Sequence, residues 1–379
     1  MEPFFFAKKC FGVTMTELEI ARSGINEIDE KMAELFEKRM NLVVQVANYK
    51  QKNGMQVFDS SREKQVIDRC VQYIKNIDLQ PYYVQFIQHL MDISKNYQHK
   101  LLEGAKVAYS GIEGAFANIA AKKIFPDAVL VPYGNFEAAY EAVENGECDV
   151  AVLPIENSYA GEVGQVSDLM FMGKLYVNGV YSLKVSQNLL GVKGSKIEDI
   201  RCVISHNQAL EQCAKFIQNH NWETKSFCNT ARAAKEVAEM DDKTIGAIAS
   251  AETAKIYGLE VLASNINENS SNTTRFAVFS KVQEEIITKE DYGTFIMMFV
   301  VKNESGSLVK VLDVIGKYGF NMRVVRSRPL KDSQWEYYFY VEAEGKLSSE
   351  NSQKMLKELA DKCQMLKVLG SYNLDKKLH

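Results

Sequence analysis

The sequence predicts a multidomain protein with an all-α domain, an α/β domain and a smaller ferredoxin-like α+β domain, in that order. Its 379 residues, 46% of them hydrophobic, exceed the usual size of a single hydrophobic core. Helical periodicity without proline fills the first long segment, and short apolar runs alternating with helical stretches fill the middle. A strand-helix-strand-strand-helix-strand order follows.

The first domain, residues 16–103, is predicted to be entirely helical. Thr16 and Glu19 have the spacing of a capping box, and the lack of proline up to Gln51 predicts one helix of roughly 50 Å. Gly54 ends this helix, and two shorter helices are expected after it.

Charged residues interrupt the apolar seam of the first helix. Arg22, Arg39 and Lys50 lie on the same face as apolar residues such as Phe36, at spacings of three and four. A cation in an apolar seam is costly unless an anion meets it, so these residues are interpreted as an anion site. The alternative is that they pair with acids such as Asp29 or reach the surface at the helix ends, and periodicity leaves both open.

The second domain, residues 105–283, alternates short apolar runs with helical stretches, which is typical of an α/β sheet. Its expected strands lie at residues 107–109, 128–131, 150–153, 202–204 and 246–249. The third domain, residues 292–379, has the element order of a ferredoxin-like sandwich. Its expected elements lie at residues 294–301, 307–318, 321–325, 336–341, 349–362 and 365–369.

Composition argues against several classes of protein. Lys+Arg 45 against Asp+Glu 49 leaves a net charge of −4, without the basic excess of a nucleic-acid binder. The seven cysteines are scattered singly, which disfavours a disulfide framework or a zinc site and favours the cytoplasm. No apolar run is long enough to predict a membrane span, and residues 1–14 are expected to form a poorly ordered extension.

The helical domain resembles the all-helical class of chorismate mutases over its whole length. In that family two long helices from two chains bury the sites between them, so the resemblance implies a dimer in which the partner chain donates Arg22. The reaction rearranges a dianion without a nucleophile, so positioning and electrostatics must carry it. The resemblance places the catalytic set on Arg22, Arg39, Lys50, Asp59, Arg62, Glu63, Ser94 and Gln98.

Roles follow from this resemblance and from side-chain chemistry. Arg22 and Arg39 suit the two substrate carboxylates because a guanidinium binds a carboxylate with two hydrogen bonds, and Arg62 is a further candidate. Lys50 and Gln98 would donate to the ether oxygen. Glu63 has two possible roles. It either completes a capping box with Ser60 or contacts a substrate hydroxyl, and the resemblance favours the contact.

Three stretches of the α/β domain resemble prephenate dehydratase, namely residues 154–163, 205–210 and 272–276. The resemblance implies a two-lobed fold like a periplasmic binding protein, with substrate in the cleft between the lobes. Thr274 would supply the key hydroxyl and Arg275 would anchor a carboxylate. The remaining substrate-binding residues would be Glu156, Asn157, Ser158, Ser205, Gln208, Asn272 and Phe276.

This domain also departs from the family pattern. Ala115 and Ala117 stand where relatives usually carry hydroxyl groups, and Gln187 stands where a histidine precedes a Leu-Leu pair. These departures leave open a single-activity enzyme in which the α/β site has decayed. His206 is interpreted as a structural residue.

The third domain resembles the ACT regulatory domain at two phenylalanine-binding elements. These are Gly306, Ser307, Leu308 and Val309 at a helix start, and Arg326, Ser327, Arg328 and Pro329 in a strand. A helix N-terminus presents free N–H groups to a carboxylate. Arg326 replaces the family's glutamate, so weaker effector binding is expected.

Together these resemblances imply a bifunctional isomerase and lyase of L-phenylalanine biosynthesis. It would convert chorismate to prephenate and prephenate to phenylpyruvate, with L-phenylalanine as an allosteric inhibitor. A homodimer or higher homo-oligomer is expected, with no cofactor and no metal, and with neither nucleic acid nor membrane as partner. The competing prediction is a non-catalytic amino-acid sensor, which would have no use for the catalytic set of the helical domain.

Overall fold

A computed structural model describes residues 16–53, 60–269, 271–283, 293–330, 336–373 and 376–378. These residues fall into two compact units, Met1–Glu103 and Gly104–His379. The predicted extension of residues 1–14, the helix end at Gly54 and the proposed catalytic Asp59 lie outside the described residues. None of the helices in the described ranges is long and apolar enough to cross a membrane.

The first unit consists of three α-helices, as the sequence predicts. They are α1 (Glu17–Lys52), α2 (Ser60–Val71) and α3 (Gln80–Glu103). The capping box of α1 is confirmed, because the Thr16 N–H donates to Glu19 Oε2 at 2.7 Å and the Glu19 N–H donates to Thr16 Oγ1 at 3.3 Å. Val43 and Ala47 of α1 and Met91 of α3 are buried between the helices.

The N-terminal half of α1 carries an apolar stripe that this unit does not cover. Residues 17–38 are all exposed, and Ile25, Ile28 and Leu35 remain 57%, 57% and 63% accessible. Monomeric proteins rarely expose so much contiguous apolar surface, which usually marks an interaction site. This half of the helix therefore contributes nothing to the unit's own core.

The second unit contains two lobes of α/β structure followed by an α+β domain. The first two lobes comprise β1 (Lys106–Ser110), α4 (Phe116–Ile124), β2 (Val129–Tyr133), α5 (Phe136–Glu144), β3 (Val150–Asn157), β4 (Gly161–Glu162), α6 (Gly164–Met172), β5 (Tyr176–Lys184), β6 (Asn188–Gly191), β7 (Cys202–His206), α7 (Asn207–Gln212), α8 (Ala214–His220), β8 (Glu223–Phe227), α9 (Thr230–Met240), β9 (Ile245–Ala249), α10 (Ala251–Tyr257), β10 (Glu260–Ala263) and β11 (Thr273–Ser280). The α+β domain comprises β12 (Gly293–Val300), α11 (Ser307–Lys317), β13 (Asn321–Pro329), β14 (Tyr337–Glu344), α12 (Glu350–Ala360), β15 (Met365–Asn373) and, beyond it, β16 (Lys376–Leu378).

The first lobe is built on a seven-stranded sheet of order β16-β5-β11-β3-β1-β2, with β4 paired to β3. Strand β11 runs antiparallel between β3 and β5 and places Thr274 opposite Asn157. The second lobe is a five-stranded sheet of order β10-β6-β9-β7-β8. Two chain segments, residues 185–187 and 264–272, join the lobes, so the expected two-lobed α/β arrangement is observed.

The α+β domain has the ferredoxin-like topology predicted from the sequence, with sheet order β13-β14-β12-β15. Its sheet packs on the first lobe through one continuous core, in which Met298 and Tyr340 join Val177 and Phe279. Strand β16 then returns to the first lobe and pairs in parallel with β5. No strand was predicted from the sequence at β5 or β16, and β11 was considered only as an alternative for residues 273–279.

Candidate functional sites

In the helical unit, α1 and α3 bring together three of the predicted catalytic residues. Arg39 donates through Nη1 to Ser94 Oγ, and Ser94 Oγ donates to the Leu90 carbonyl at 2.6 Å. Gln98 lies one turn beyond, and its Nε2 donates to the Ser94 carbonyl at 3.3 Å. Ser94 and Gln98 are buried, and burial lowers the pKa of the Arg39 guanidinium.

The other members of this set lie elsewhere on the unit. Arg22 sits on the exposed half of α1, Arg62 is exposed near the start of α2, and Lys50 is partly buried near the end of α1. Glu63 forms an ion pair with Lys95 at 2.8 Å, a contact that was not predicted from the sequence. One chain therefore assembles the Arg39 part of the site but leaves Arg22 apart from it.

In the second unit, a cleft of about 460 Å³ lies between the two lobes. Four of the predicted residues line it, namely Asn157, Gln208, Thr274 and Phe276. It is also lined by residues that were not predicted, including Phe136 at the start of α5, Cys228 and Asn229 after β8, and Gln212 at the end of α7. Position was the available signal for the first three, because α/β sheets present ligand groups where strands end.

The proposed catalytic hydroxyl is held by a buried amide. Asn157 Oδ1 accepts hydrogen bonds from the backbone N–H groups of Tyr159 and Ala160 at 3.0 and 2.9 Å. These bonds determine the orientation of the Asn157 side-chain amide. Its Nδ2 therefore donates, at 2.9 Å to Thr274 Oγ1 and at 2.8 Å to Asn272 Oδ1. Because the Thr274 oxygen accepts this bond, its own hydrogen is left to point at a ligand.

Several predicted substrate contacts occupy other positions. Ser205 is buried and donates to the Ile248 carbonyl at 2.6 Å, and Ser158 accepts from the Thr273 N–H at 3.0 Å. Asn272 stands behind Asn157 and supports it. These three residues are not among those that line the cleft, so their predicted direct contact is corrected to a supporting role.

Arg275 does not face the cleft, which corrects its predicted role as a carboxylate anchor. It follows Thr274 in β11, and successive strand residues point to opposite faces. Arg275 donates to Glu156 at 2.9 Å and, through both terminal nitrogens, to Glu342 of β14 at 3.0 and 2.9 Å. Glu156 is likewise turned away from the cleft. Both residues belong to the contact between the first lobe and the α+β domain.

Glu342 is the centre of this contact. Its side chain is 1% exposed and also accepts from the hydroxyl groups of Tyr340 at 2.6 Å and Tyr372 at 2.9 Å. Burial acts to raise the pKa of the Glu342 carboxyl group, but the hydrogen bonds and charge of Arg275 outweigh burial and lower it from 4.5. The carboxylate is therefore satisfied in its buried position.

The predicted effector residues fall into two groups. Gly306, with φ +81, is the N-cap of α11 and has no side chain to cap the helix that starts with Ser307, Leu308 and Val309, and the Ser307 N–H donates to the Glu304 carbonyl at 3.1 Å. In β13, Arg326 binds Glu156, whereas Arg328 binds Asp168 at 3.1 Å and approaches Glu162 at 3.7 Å. Ser327 and Pro329 are exposed on the opposite face. The two arginines thus face the first lobe.

The charged residue type on the described walls of the cleft is acidic, because Glu162 lines it. Neither lysine nor arginine is among the described residues that line it. His206 lines it and also caps α7, because its Nδ1 accepts from the Gln208 N–H at 3.4 Å. No cluster of three or more His, Cys, Asp or Glu side chains within the described ranges is arranged to hold a metal ion.

Comparison with known proteins gives a match for each unit. The prephenate dehydratase family model matches residues 107–284, and the type II chorismate mutase model matches residues 21–99. An Arabidopsis thaliana relative named arogenate dehydratase/prephenate dehydratase 1, chloroplastic, is 36% identical over 286 residues, which cover 71% of this chain and 72% of the relative. The solved prephenate dehydratase of Arthrobacter aurescens in complex with L-Phe is 27% identical with TM-score 0.66, covering 71% of this chain and 90% of that one.

Several relatives are matched along both units. The bifunctional chorismate mutase/prephenate dehydratase of Buchnera aphidicola subsp. Acyrthosiphon pisum (strain APS) is 31% identical over 374 residues, which cover 95% of this chain and 97% of the relative. Full-length similarity and two separate domain matches lead to the same conclusion. The chain belongs to the family of bifunctional chorismate mutase/prephenate dehydratases.

Proposed function

We propose that the chain catalyses two consecutive reactions of L-phenylalanine biosynthesis, the rearrangement of chorismate to prephenate and the conversion of prephenate to phenylpyruvate. The observation that carries this proposal is the presence, in one chain, of both family domains, each with its own polar site. Arg39 with Ser94 supports the first reaction, and Thr274 with Asn157 supports the second.

In the mutase reaction, Arg39 holds a substrate carboxylate in the reactive conformation. Its guanidinium is partly desolvated, which strengthens the attraction for an anion. Lys50 and Gln98 complete the site by donating to the ether oxygen as its bond breaks. The Gln98 Nε2 carries two hydrogens and gives one of them to the Ser94 carbonyl, so the second can serve the ether oxygen.

The mutase site is completed by a second copy of the chain. Arg22 lies on the half of α1 whose apolar residues are uncovered, such as Ile25 and Leu35. Burying these side chains against the same helix of a partner would stabilise a dimer by roughly 25 cal/mol per Å² of apolar surface. The same contact brings Arg22 of one chain towards Arg39 of the other.

In the dehydratase reaction, prephenate takes up one proton and yields phenylpyruvate, carbon dioxide and water. The bond from the ring to its carboxylate breaks, its electrons complete the aromatic ring, and the 4-hydroxyl leaves. Thr274 donates its free hydrogen to that leaving oxygen, while Asn157 holds the Thr274 oxygen in place. A threonine is a weak acid, so Thr274 orients and relays the proton.

We expect neutral backbone groups to hold a carboxylate of prephenate in the cleft. Helix α4 starts at the cleft wall, where Phe116 and Ala117 line it, and Ala115 at its N-cap makes no side-chain capping bond. The first N–H groups of α4, at the positive end of the helix dipole, are the proposed donors. Ala115 and Ala117, which lack the family's hydroxyls, leave this backbone accessible.

The α+β domain is proposed to act as an ACT regulatory domain that binds L-phenylalanine and lowers dehydratase activity. The uncapped start of α11 suits the amino-acid carboxylate. The sequence alone suggested that Arg326→Glu would tighten binding by restoring the family's acid. Because Arg326 pairs with Glu156, that change would set two carboxylates against each other, and weaker coupling is expected instead.

Two ultraviolet assays on one purified protein test the proposal. Loss of chorismate reports the mutase, and formation of phenylpyruvate from supplied prephenate reports the dehydratase. Both rates should exceed the uncatalysed rates by orders of magnitude, and size-exclusion chromatography with light scattering should give at least a dimer. Absence of either activity in folded protein would reduce the proposal to a single-activity enzyme.

A further inference from the structure

The cleft wall contains a buried amide oxygen with no hydrogen-bond partner. Gln187 is 3% exposed and lines the cleft, and its Oε1 accepts no hydrogen bond from any residue in the described ranges. Most buried polar atoms in native proteins are paired, so such an exception needs a physical reason. A ligand that supplies the missing hydrogen would provide one.

The direction of this amide follows from its neighbours. Asn157 Nδ2 donates to Asn272 Oδ1, so Asn272 must present its Nδ2, which donates to Gln212 Oε1 at 2.9 Å. Gln212 Oε1 is therefore an acceptor, and Gln187 turns its own Nε2 to it at 3.4 Å. The chain of amides begins at two backbone N–H groups that bind Asn157, so no member can reverse without losing a bond.

The backbone at Gln187 is fixed on both sides. Its N–H donates to Asn267 Oδ1 at 3.1 Å, and its carbonyl accepts from the Ile266 N–H at 2.8 Å. Residues 185–187 form one of the two connections between the lobes. The unpaired oxygen is thus a rigid feature of the cleft.

The chemistry of prephenate identifies the matching group. Its two carboxylates and its ketone only accept hydrogen bonds, so the 4-hydroxyl is its single donor. We infer that Gln187 is a substrate-binding residue of the dehydratase, whose Oε1 accepts the hydrogen of this hydroxyl group. That bond turns a lone pair of the leaving oxygen towards the hydrogen of Thr274. The inference rests on the dehydratase function proposed above.

The test uses Gln187→Met, which keeps the length of the side chain and removes the acceptor. Turnover of prephenate, as kcat/KM, should fall about tenfold, the scale of one lost hydrogen bond. Inhibition by phenylpyruvate, which has no 4-hydroxyl, should keep its Ki. Gln187→His restores a side chain that can accept and should recover most of the parent rate. Thr294→Val removes another unpaired buried oxygen, outside the cleft, and should change neither value.

Arogenate serves as a second substrate in the same turnover assay, because it carries the same hydroxyl group but has an ammonium group in place of the ketone. Equal losses for both substrates are expected. A loss confined to arogenate would assign the contact to the ammonium group and overturn the inference, and so would an equal rise in the Ki of phenylpyruvate. If the parent enzyme converts prephenate and Gln187→Met does so equally well, only this inference falls. A parent without prephenate turnover removes the dehydratase function as well.

Discussion

The helical unit and the cleft of the second unit are proposed to bind similar anions with different chemical groups, an arginine in the first and mainly uncharged groups in the second. The helical unit sets Arg39 into a partly buried seam between helices, against Ser94. The described wall of the cleft presents amides, a helix start and the acid Glu162 but no arginine, and its strand β11 turns Arg275 to the other side. The difference follows from the reactions, since a rearrangement needs its dianion held still, whereas an elimination needs a proton delivered at one oxygen.

The strongest test of this comparison removes the cation. Arg39→Ala should lower the mutase rate by about 10³-fold, because the anion loses a preorganised partner in a desolvated site. Chorismate loss measures this effect. Lys38→Ala, which removes the neighbouring exposed cation, is the control and should leave the mutase near its parent rate. Dehydratase activity on supplied prephenate should be unchanged in both, and a joint loss in folded protein would contradict separate sites.

The second test removes the hydroxyl from the neutral site. Thr274→Val keeps the shape of the side chain and should lower phenylpyruvate formation by about 10²-fold or more, as expected for a positioned proton-transfer group. Thr273→Val is the matched control, because the adjacent hydroxyl donates to the Ser271 carbonyl at 3.1 Å on an exposed surface. Similar rates for the two variants would remove Thr274 from the mechanism.

The third test concerns the arginine that is turned away from the cleft. Glu342→Gln should destabilise the second unit by about 3 kcal/mol, because Arg275 loses its buried counter-charge. Trp222 belongs to this unit and the sequence has no tryptophan before residue 104, so tryptophan fluorescence during urea unfolding reports the second unit. Glu344→Gln, at the exposed end of the same strand, should cost far less.

The pH dependence of the free energy of unfolding makes this third test more specific. The pKa of Glu342 is lowered in the folded protein from 4.5, so its stabilising contribution is full above that value and is lost as the pH falls through the lowered pKa. The difference in free energy of unfolding between the parent and Glu342→Gln should therefore shrink below about pH 4.5. A difference independent of pH would show that packing, and not charge, is responsible.

The smallest effect is expected at the ion pair that joins β13 to the first lobe. Arg326→Gln breaks the contact with Glu156, the neighbour of Asn157, and should raise the phenylalanine concentration for half-inhibition about threefold. Rates of phenylpyruvate formation at graded phenylalanine concentrations measure this shift. Arg323→Gln, whose guanidinium lies 3.7 Å from Glu344 at the sheet edge, is the control. Equal curves for both variants would mean that the ion pair carries no coupling.

Periodicity and spacing predicted the elements better than the directions of their side chains. The capping box at Thr16, the helices of the first unit and the order of the α+β domain were all predicted correctly. The sequence could not place Arg275, because a motif read as a string does not say which of two successive strand residues faces the ligand. Thr274 and Arg275 are neighbours in sequence, yet one faces the cleft and the other binds Glu342.

Long-range pairing explains the remaining differences. Strand β11 is held between β3 and β5, more than 80 residues away in the chain, and only the folded sheet shows that Asn157 meets Thr274. Gln187 was noted as a departure from the family pattern. Its unpaired oxygen became visible only through the amide chain that runs back to Asn157.

The return of β16 to the first lobe constrains the order in which this protein can be made. Strands β1, β2, β3, β5 and β11 are all synthesised by residue 280, yet within the described residues the strand that pairs with the outer edge of β5 is β16, at residues 376–378. An uncovered strand edge is a template for wrong pairing. While the ribosome adds the intervening residues of the α+β domain, the nascent first lobe therefore has an open edge, and its sheet is completed after translation has passed residue 378.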